Sequence, residues 1–292
     1  MKLGILGLSP GNGHPYSWSA IFNGFDATEM SKCPFPVIPD YLSKQRYPDD
    51  FLTGHQVTHV WTQDPEVSAH VAAAARIATV VSAPQDMIGH VDAVLLARDD
   101  ARSHFSLAAP FLAAGLPIYI DKPLAVSTAD AQRLLDEQRY DWQIFSCSAL
   151  RYAPELVPSE VELSALGELR FIDATTPKYW DTYAVHIVEP VVANIGVLQP
   201  NGIHTQTTST LQALSFRDQR GIDYRFTALP AAAAPLQFRW IGSQGSWQSG
   251  PFSSFACFRT ALQEFIRGVE TQTQIIPRAE TLNVVSLLEL GR

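Results

Sequence analysis

The stretch "VDAVLLARDDARSHFSLAAPFLAAGLPIYIDKPLA", residues 91–125, decides how this chain is read. It opens on an apolar run, 91–97, of the kind that fills a strand buried on both faces. A polar turn, Arg98-Asp99-Asp100, follows. Residues 101–114 carry a helical pattern that Gly115 closes. "PIYI" (117–120) is a second buried strand, and Asp121-Lys122-Pro123 stands where it ends. Strand, helix and strand joined by short links make a parallel βαβ unit, which crosses over right-handed.

The same rhythm extends outward on both sides. Residues 2–8 read as a buried strand and 17–24 as a helix ending near Gly24. Residues 57–62 form the next strand. The helix after it has Asp64 as N-cap and Pro65 at its first position. Toward the C-terminus, "STADAQRLLDEQRY" is a capped helix and 143–149 a strand. The pattern predicts an α/β fold with a doubly wound parallel Rossmann sheet. Residues 26–56 interrupt it with four prolines, Pro34, Pro36, Pro39 and Pro48. So long an irregular stretch is uncommon unless functional. Phe35, Val37, Ile38, Tyr41, Leu42, Tyr47 and Phe51 give it apolar anchors, so it is expected to fold onto a protein surface.

After about residue 150 the rhythm changes. Residues 169–175 alternate as a half-buried strand, and 183–195 look helical. Residues 203–250 read as antiparallel strands and hairpins rich in Thr, Phe, Tyr and Trp. Helices at 254–268 and 278–290 close the chain. The second half is therefore α+β with an open, mostly antiparallel sheet. The expected division is 1–122 for the first domain, with strand 143–149 as its last, and 123–292 for the second. The last helix is expected to pack back on the first domain.

Composition narrows the function classes. Of 292 residues, 46% are hydrophobic and 17% charged, enough for a sizeable core. The net charge of −8 repels nucleic acid and anionic lipid at long range. No apolar run reaches the roughly 20 residues that span a bilayer. Cys33, Cys147 and Cys257 are few and scattered, which suits a reducing compartment and argues against a disulfide framework or a zinc knuckle. His55 and His59 have helical metal spacing, but they fall on a loop and a strand, so no metal site is expected. A cytoplasmic globular protein is the expectation.

The turn after the first strand reads "GLSPGNGHPYSW", residues 7–18. A dinucleotide-binding turn, G-x-G-x-x-G from Gly7, would put glycine at 9 and 12. The chain has Ser9 and Asn12. Gly7 can still make the tight turn, and Gly11 and Gly13 can allow close approach at shifted positions. Ser9, His14 and Ser17 add donors that glycine lacks. A plain turn is the alternative.

Across nearly its whole length the chain resembles the Gfo/Idh/MocA oxidoreductases, the glucose–fructose oxidoreductase and inositol dehydrogenase family. The resemblance rests on 91–125, where Asp121-Lys122-Pro123 matches the family's Glu-Lys-Pro. It also rests on "LGELRFIDA" (166–174), "WIGSQGSWQ" (240–248) and the closing helices. Arg98-Asp99-Asp100 replaces the family's Thr-Pro loop, and the first crossover is longer.

The resemblance implies a nicotinamide dinucleotide, NAD or NADP, held by Gly7, Ser9, Gly11, Asn12, Gly13, His14, Thr62, Gln63, Asp64, Ala97, Arg98, Asp99, Asp121 and Lys122. Asp64 would reach the adenine ribose, or only cap its helix. No arginine stands at 62–64 to meet a 2′-phosphate, which favours NAD. Lys122 is the implied donor to a substrate oxygen. His186, in "KYWDTYAVHIVEP" (178–190), matches the family's acid–base histidine, with a packed interface histidine as the alternative. The family's aspartate four residues earlier is Thr182 here; Asp181 lies beside it. Tyr183 is the expected substitute as an orienting hydroxyl. Arg151 and Lys178 complete the implied substrate set with Asp181 and Thr182. Arg151 could instead pair across a domain junction, and Lys178 could be solvated.

The function so implied is hydride transfer between NAD(P) and a secondary alcohol or ketone of a sugar, sugar nucleotide or cyclitol. Self-association through the C-terminal sheet is expected, with no nucleic-acid or membrane partner. A different reaction on the same fold is one rival. A cofactor-free binding or regulatory protein is the other.

Overall fold

The computed structural model describes residues 1–292 and divides into two compact units. The first holds Met1–Ala125, Gln132–Cys147 and Phe258–Ile276; the second holds Val126–Ala131, Ser148–Cys257 and Pro277–Arg292. The last helix thus lies in the second unit, and a segment well beyond residue 122 lies in the first. No helix is long and apolar enough to cross a membrane.

The elements of the N-terminal half run β1 (Lys2–Gly7), α1 (His14–Asn23), α2 (Ala27–Met30), α3 (Val37–Ser43), β2 (Gln56–Thr62), α4 (Pro65–Ala74), β3 (Thr79–Val80), β4 (Ala93–Leu96), α5 (His104–Ala113), β5 (Ile118–Ile120), α6 (Thr128–Asp136) and β6 (Ile144–Phe145). The six strands form a parallel sheet in the order β3-β2-β1-β4-β5-β6. This is the doubly wound Rossmann order, and ligands of such sheets bind at the carboxyl ends of the strands where the order reverses. Here that point lies between β1 and β4.

The expected strands hold their places because their apolar runs are buried. Leu3, Ile5 and Leu6 of β1 and all four residues of β4 are fully buried. Tyr119 of β5 stacks on Trp18 of α1 at 4.6 Å and meets Phe145 edge-on at 4.7 Å. The first helix begins at His14, earlier than the expected residue 17, because Pro15 suits a first helical turn. Asp64 caps α4 through the Glu66 and Val67 N–H groups. The strand expected over 143–149 shortens to β6.

The Pro-rich segment 26–56 is not wholly irregular. It contains α2, capped by Asp26, and α3. Ile38, Leu42 and Phe51 are buried, while Val37 and Tyr47 remain exposed.

The second unit carries α7 (Glu160–Leu166), β7 (Leu169–Pro177), α8 (Trp180–Tyr183), α9 (Val185–Ile195), β8 (Asn201–Thr207), β9 (Gln212–Arg217), β10 (Asp223–Leu229), β11 (Gln237–Gly242) and β12 (Ser246–Gln248). Next come α10 (Ser254–Thr271), whose residues from Phe258 onward belong to the first unit, and α11 (Arg278–Leu290). The sheet order is β12-β11-β7-β10-β9-β8, antiparallel except between β7 and β10. The helix expected over 183–195 divides at Ala184 into α8 and α9. Val185, Ile187, Val188, Val191 and Val192 make α9 a buried helix. The Trp180 indole donates to the Leu288 carbonyl at 2.9 Å, tying α8 to α11.

Candidate functional site

In the first unit, the loops after β1, β4 and β5 converge because their strands are neighbours. Asp121 follows β5 and is 1% exposed. Its Oδ2 accepts from the Asn12 side-chain amide at 2.8 Å and lies 2.5 Å from His14 Nδ1. Its Oδ1 accepts the Lys122 backbone N–H at 2.8 Å. Burial alone would raise this carboxyl's pKa. His14, Lys122 and Asn12 outweigh that and hold it below the usual range. Lys122 Nζ lies 3.5 Å from Asp99, and Asp99 accepts from the Ser9 hydroxyl at 2.5 Å. One network therefore joins Ser9, Asn12, His14, Asp99, Asp121 and Lys122.

A second network staples the β1 turn to β2. The Gln63 side chain accepts the Leu8 N–H at 3.0 Å and donates to the Leu8 carbonyl at 2.6 Å. Arg98 donates to Gln63 at 2.9 Å and forks Asp100 with two bonds of 2.8 Å. Burial would raise the Asp100 pKa, but the Arg98 fork outweighs it and holds it low. His104, fully buried, lies within hydrogen-bond distance of the Leu124 and Arg98 carbonyls and ties these loops together.

A dinucleotide needs an open backbone at the turn and donors at the strand ends. Gly11 offers the first. Its φ is +81°, and a Cβ built there has no neighbour within 4 Å. Gly13 does not. A Cβ there would stand 2.5 Å from the Phe35 ring and from Ile38, so the inserted segment occupies the space expected for close approach. The first turn of α1 is also spoken for. The Asn12 side chain accepts the His14 N–H, Pro15 has none, and the Gly13 carbonyl accepts those of Tyr16 and Ser17. Lys122, Arg98, Asn12 and Ser9 supply the polar strand ends. The edge fits a dinucleotide approaching at Gly11 rather than at Gly13 or along α1.

Two expected ribose contacts have local duties. The Thr62 hydroxyl is buried and donates to the Asp64 carbonyl at 2.6 Å. One Asp64 carboxylate oxygen caps α4.

In the second unit, His186 is half-buried on α9. Ser148 Oγ lies 2.7 Å from its Nδ1. The Tyr183 hydroxyl oxygen accepts from the Lys178 ammonium, and the Tyr183 ring meets His186 edge-on at 5.0 Å. Ser148 was not foreseen as the partner, because nothing in the spacing of 148 and 186 signals contact. Glu189, 4% exposed, accepts the Ser148 N–H at 2.7 Å. Burial raises its pKa to about 7, although Arg151 and the Ser148 N–H pull it down. A lone acid in the apolar run "VHIVEPVV" (185–192) was the available signal for Glu189.

The remaining expected substrate contacts are engaged elsewhere. Arg151 pairs with Glu280 and lies 3.7 Å from Glu189, within the second unit rather than across a junction. Asp181 pairs with Arg292 at 2.6 Å. The Thr182 hydroxyl donates to the Tyr179 carbonyl at 3.3 Å.

Residues 39–146 match the model of the oxidoreductase family with an NAD-binding Rossmann fold, a span that begins after the β1 turn. Comparison with curated proteins gives no match. Among solved structures, the myo-inositol 2-dehydrogenase of Lactobacillus plantarum is similar at a TM-score of 0.72 and 12% identity, covering 99% of this chain and 95% of that one. The UDP-N-acetylglucosamine 3-dehydrogenase of Acidithiobacillus ferrooxidans is similar at 0.71 and 13%, covering 100% and 96%. An oxidoreductase of Agrobacterium radiobacter, in complex with NAD+, L-tartaric acid and magnesium, is similar at 0.72 and 13%, covering 99% and 94%. At such identities these likenesses establish the two-part fold.

Proposed function

We propose that the chain is a member of the Gfo/Idh/MocA oxidoreductase family, whose NAD-binding model matches residues 39–146, and that it is an NAD(P)-dependent dehydrogenase acting on a secondary alcohol or ketone. The substrate class is a sugar, sugar nucleotide or cyclitol, as the names of the similar dehydrogenases suggest. The observation that carries the reading is Lys122. It is a buried ammonium just past the carboxyl end of a parallel strand, 3.5 Å from the Asp99 carboxylate and helping to hold Asp121 ionised.

When bound, the nicotinamide would accept or return the hydride. Lys122 would hydrogen-bond the substrate oxygen and stabilise charge building there. His186 would take up or return a proton, the role its match to the family's acid–base histidine implies. Gly11, Ser9, Asn12 and Lys122 are the residues that would hold the dinucleotide. The reading favours NAD, because residues 62–64 carry no arginine and Arg98, which reaches Gln63, is forked by Asp100. Self-association through the second sheet belongs to the same reading; β8 is an edge strand exposed along its whole length, a surface suited to pairing.

The engaged N–H groups of α1 favour a second reading, a cofactor-free binding or regulatory protein on this fold. An absorbance assay at 340 nm separates the two. Cyclitols, sugars and nucleotide sugars are offered with NAD+ and with NADP+, and their keto forms with the reduced cofactors. Turnover of any member supports the dehydrogenase, and inactivity across the panel in both directions contradicts it.

A further inference from the structure

We propose that Ser148 is the positioning residue of His186, its buried hydroxyl donating to Nδ1 and thereby keeping the imidazole proton on Nε2. The inference deepens the reading of His186 as proton carrier and rests on it for its catalytic meaning.

The argument is an accounting of one hydroxyl. A serine has a single O–H donor and two acceptor lone pairs. Ser148 is fully buried, so water does not take its proton. Its Oγ already accepts the Leu150 N–H at 3.2 Å, as the cap of the short turn Ala149–Tyr152. His186 Nδ1, at 2.7 Å, is the acceptor in reach. A buried O–H left without an acceptor loses its bond to water and gains nothing in return. The proton therefore lies on the serine side of the contact, and Nδ1 is the bare nitrogen. In the neutral ring the other nitrogen, Nε2, then carries the hydrogen.

The surroundings keep Ser148 in place. Glu189, one turn after His186 on α9, accepts its backbone N–H at 2.7 Å. Its carbonyl accepts the Arg151 N–H at 3.0 Å. Arg151 in turn pairs with Glu280 and approaches Glu189. The helix that carries the histidine thus also carries the group that holds its partner. When the ring is charged, Nδ1 also carries hydrogen, and the Ser148 hydroxyl turns so that Oγ accepts from it. Nε2–H is then the proton that the imidazolium gives to a ketone oxygen, leaving the Nδ1–H form with Nε2 bare, and that form takes the hydroxyl proton in the reverse direction.

The test is ¹⁵N NMR of the full-length, ligand-free protein with labelled histidine, at a pH where the ring is neutral. His186→Gln assigns the signal. The expected wild-type spectrum has a protonated Nε2 and a bare, hydrogen-bonded Nδ1. In Ser148→Ala the Nδ1 resonance shifts as its donor is lost, and the Nδ1–H form becomes detectable. Ser148→Thr, which keeps the hydroxyl, restores the wild-type pattern. A protonated Nδ1 in the wild type overturns the proposal, and so does an Nδ1 resonance unmoved in folded Ser148→Ala. If Ser148→Ala does not fold, the wild-type spectrum alone decides. No substrate enters the measurement, so its failure is distinguishable from failure of the catalytic reading, which full turnover in His186→Ala would show.

Discussion

His14 Nδ1 lies 2.5 Å from Asp121 Oδ2, a contact between the first residue of α1 and the residue that follows β5. Asp121 is almost wholly buried, so its charge depends on this partner and on Lys122 and Asn12. Removing one partner of a buried pair typically costs 3–5 kcal/mol. Because Lys122 and Asn12 remain, His14→Ala should cost somewhat less, about 2–3 kcal/mol. The sign with pH follows from the lowered pKa of Asp121. Its contribution is present above the ordinary carboxylate range and is lost as pH falls through the folded value. In His14→Ala the folded value rises, so acid unfolding should begin at higher pH. Urea denaturation from pH 3 to pH 7 checks both.

Glu189 behaves in the opposite sense. Its carboxyl is raised to about 7, so the fold favours the protonated form. Stability from this group is full below the unfolded value of 4.5 and is lost as pH rises through about 7. The displacement corresponds to about 3 kcal/mol. Glu189→Gln should remove that slope, so that the variant gains relative stability between pH 5 and pH 8. Parallel melting curves for the two proteins across that range would contradict the assignment.

Gly11 and Gly13 should separate under substitution. Gly13→Ala drives a methyl into Phe35 and Ile38, and overpacking of this kind costs about 1–3 kcal/mol. Adding Phe35→Ala to Gly13→Ala should cost less than the sum of the two single changes, since both act on one contact. Gly11→Val meets open space, and its penalty is backbone strain at positive φ, about 1 kcal/mol. On the proposed reading Gly11→Val weakens cofactor binding at least tenfold, about 1.4 kcal/mol. Denaturation and ligand titration on the same samples tell the two effects apart.

The sheet order was legible because its strands are continuous apolar runs punctuated by Gly, Pro and capping residues. Asp64 before Pro65 marked a helix start without help from tertiary structure. The second sheet was legible for the same local reason, through the alternation at 169–175 and the hairpins that follow. What stayed hidden is long-range. That Phe35 and Ile38 sit against Gly13 is a packing fact with no local signal. That Arg151 turns to Glu280 depends on residues 129 positions apart. That the Tyr183 oxygen accepts from Lys178 has no local signal either.

Lys122→Ala and His186→Ala should each lower turnover roughly 10²-fold or more, the scale of acid–base catalysis. Cofactor affinity should change much less in His186→Ala, because that residue is assigned to the substrate. Steady-state kinetics on the two variants check this, and near-full turnover in His186→Ala would leave the histidine a packing residue.

The central claim is that this altered turn still serves a nicotinamide dinucleotide. Titration of the purified protein with NADH and with NADPH, followed by nicotinamide fluorescence, addresses it without a known substrate. The account predicts saturable binding with a micromolar Kd, tighter for NADH, and a weaker complex in Gly11→Val. No binding of either cofactor up to millimolar concentration would contradict it.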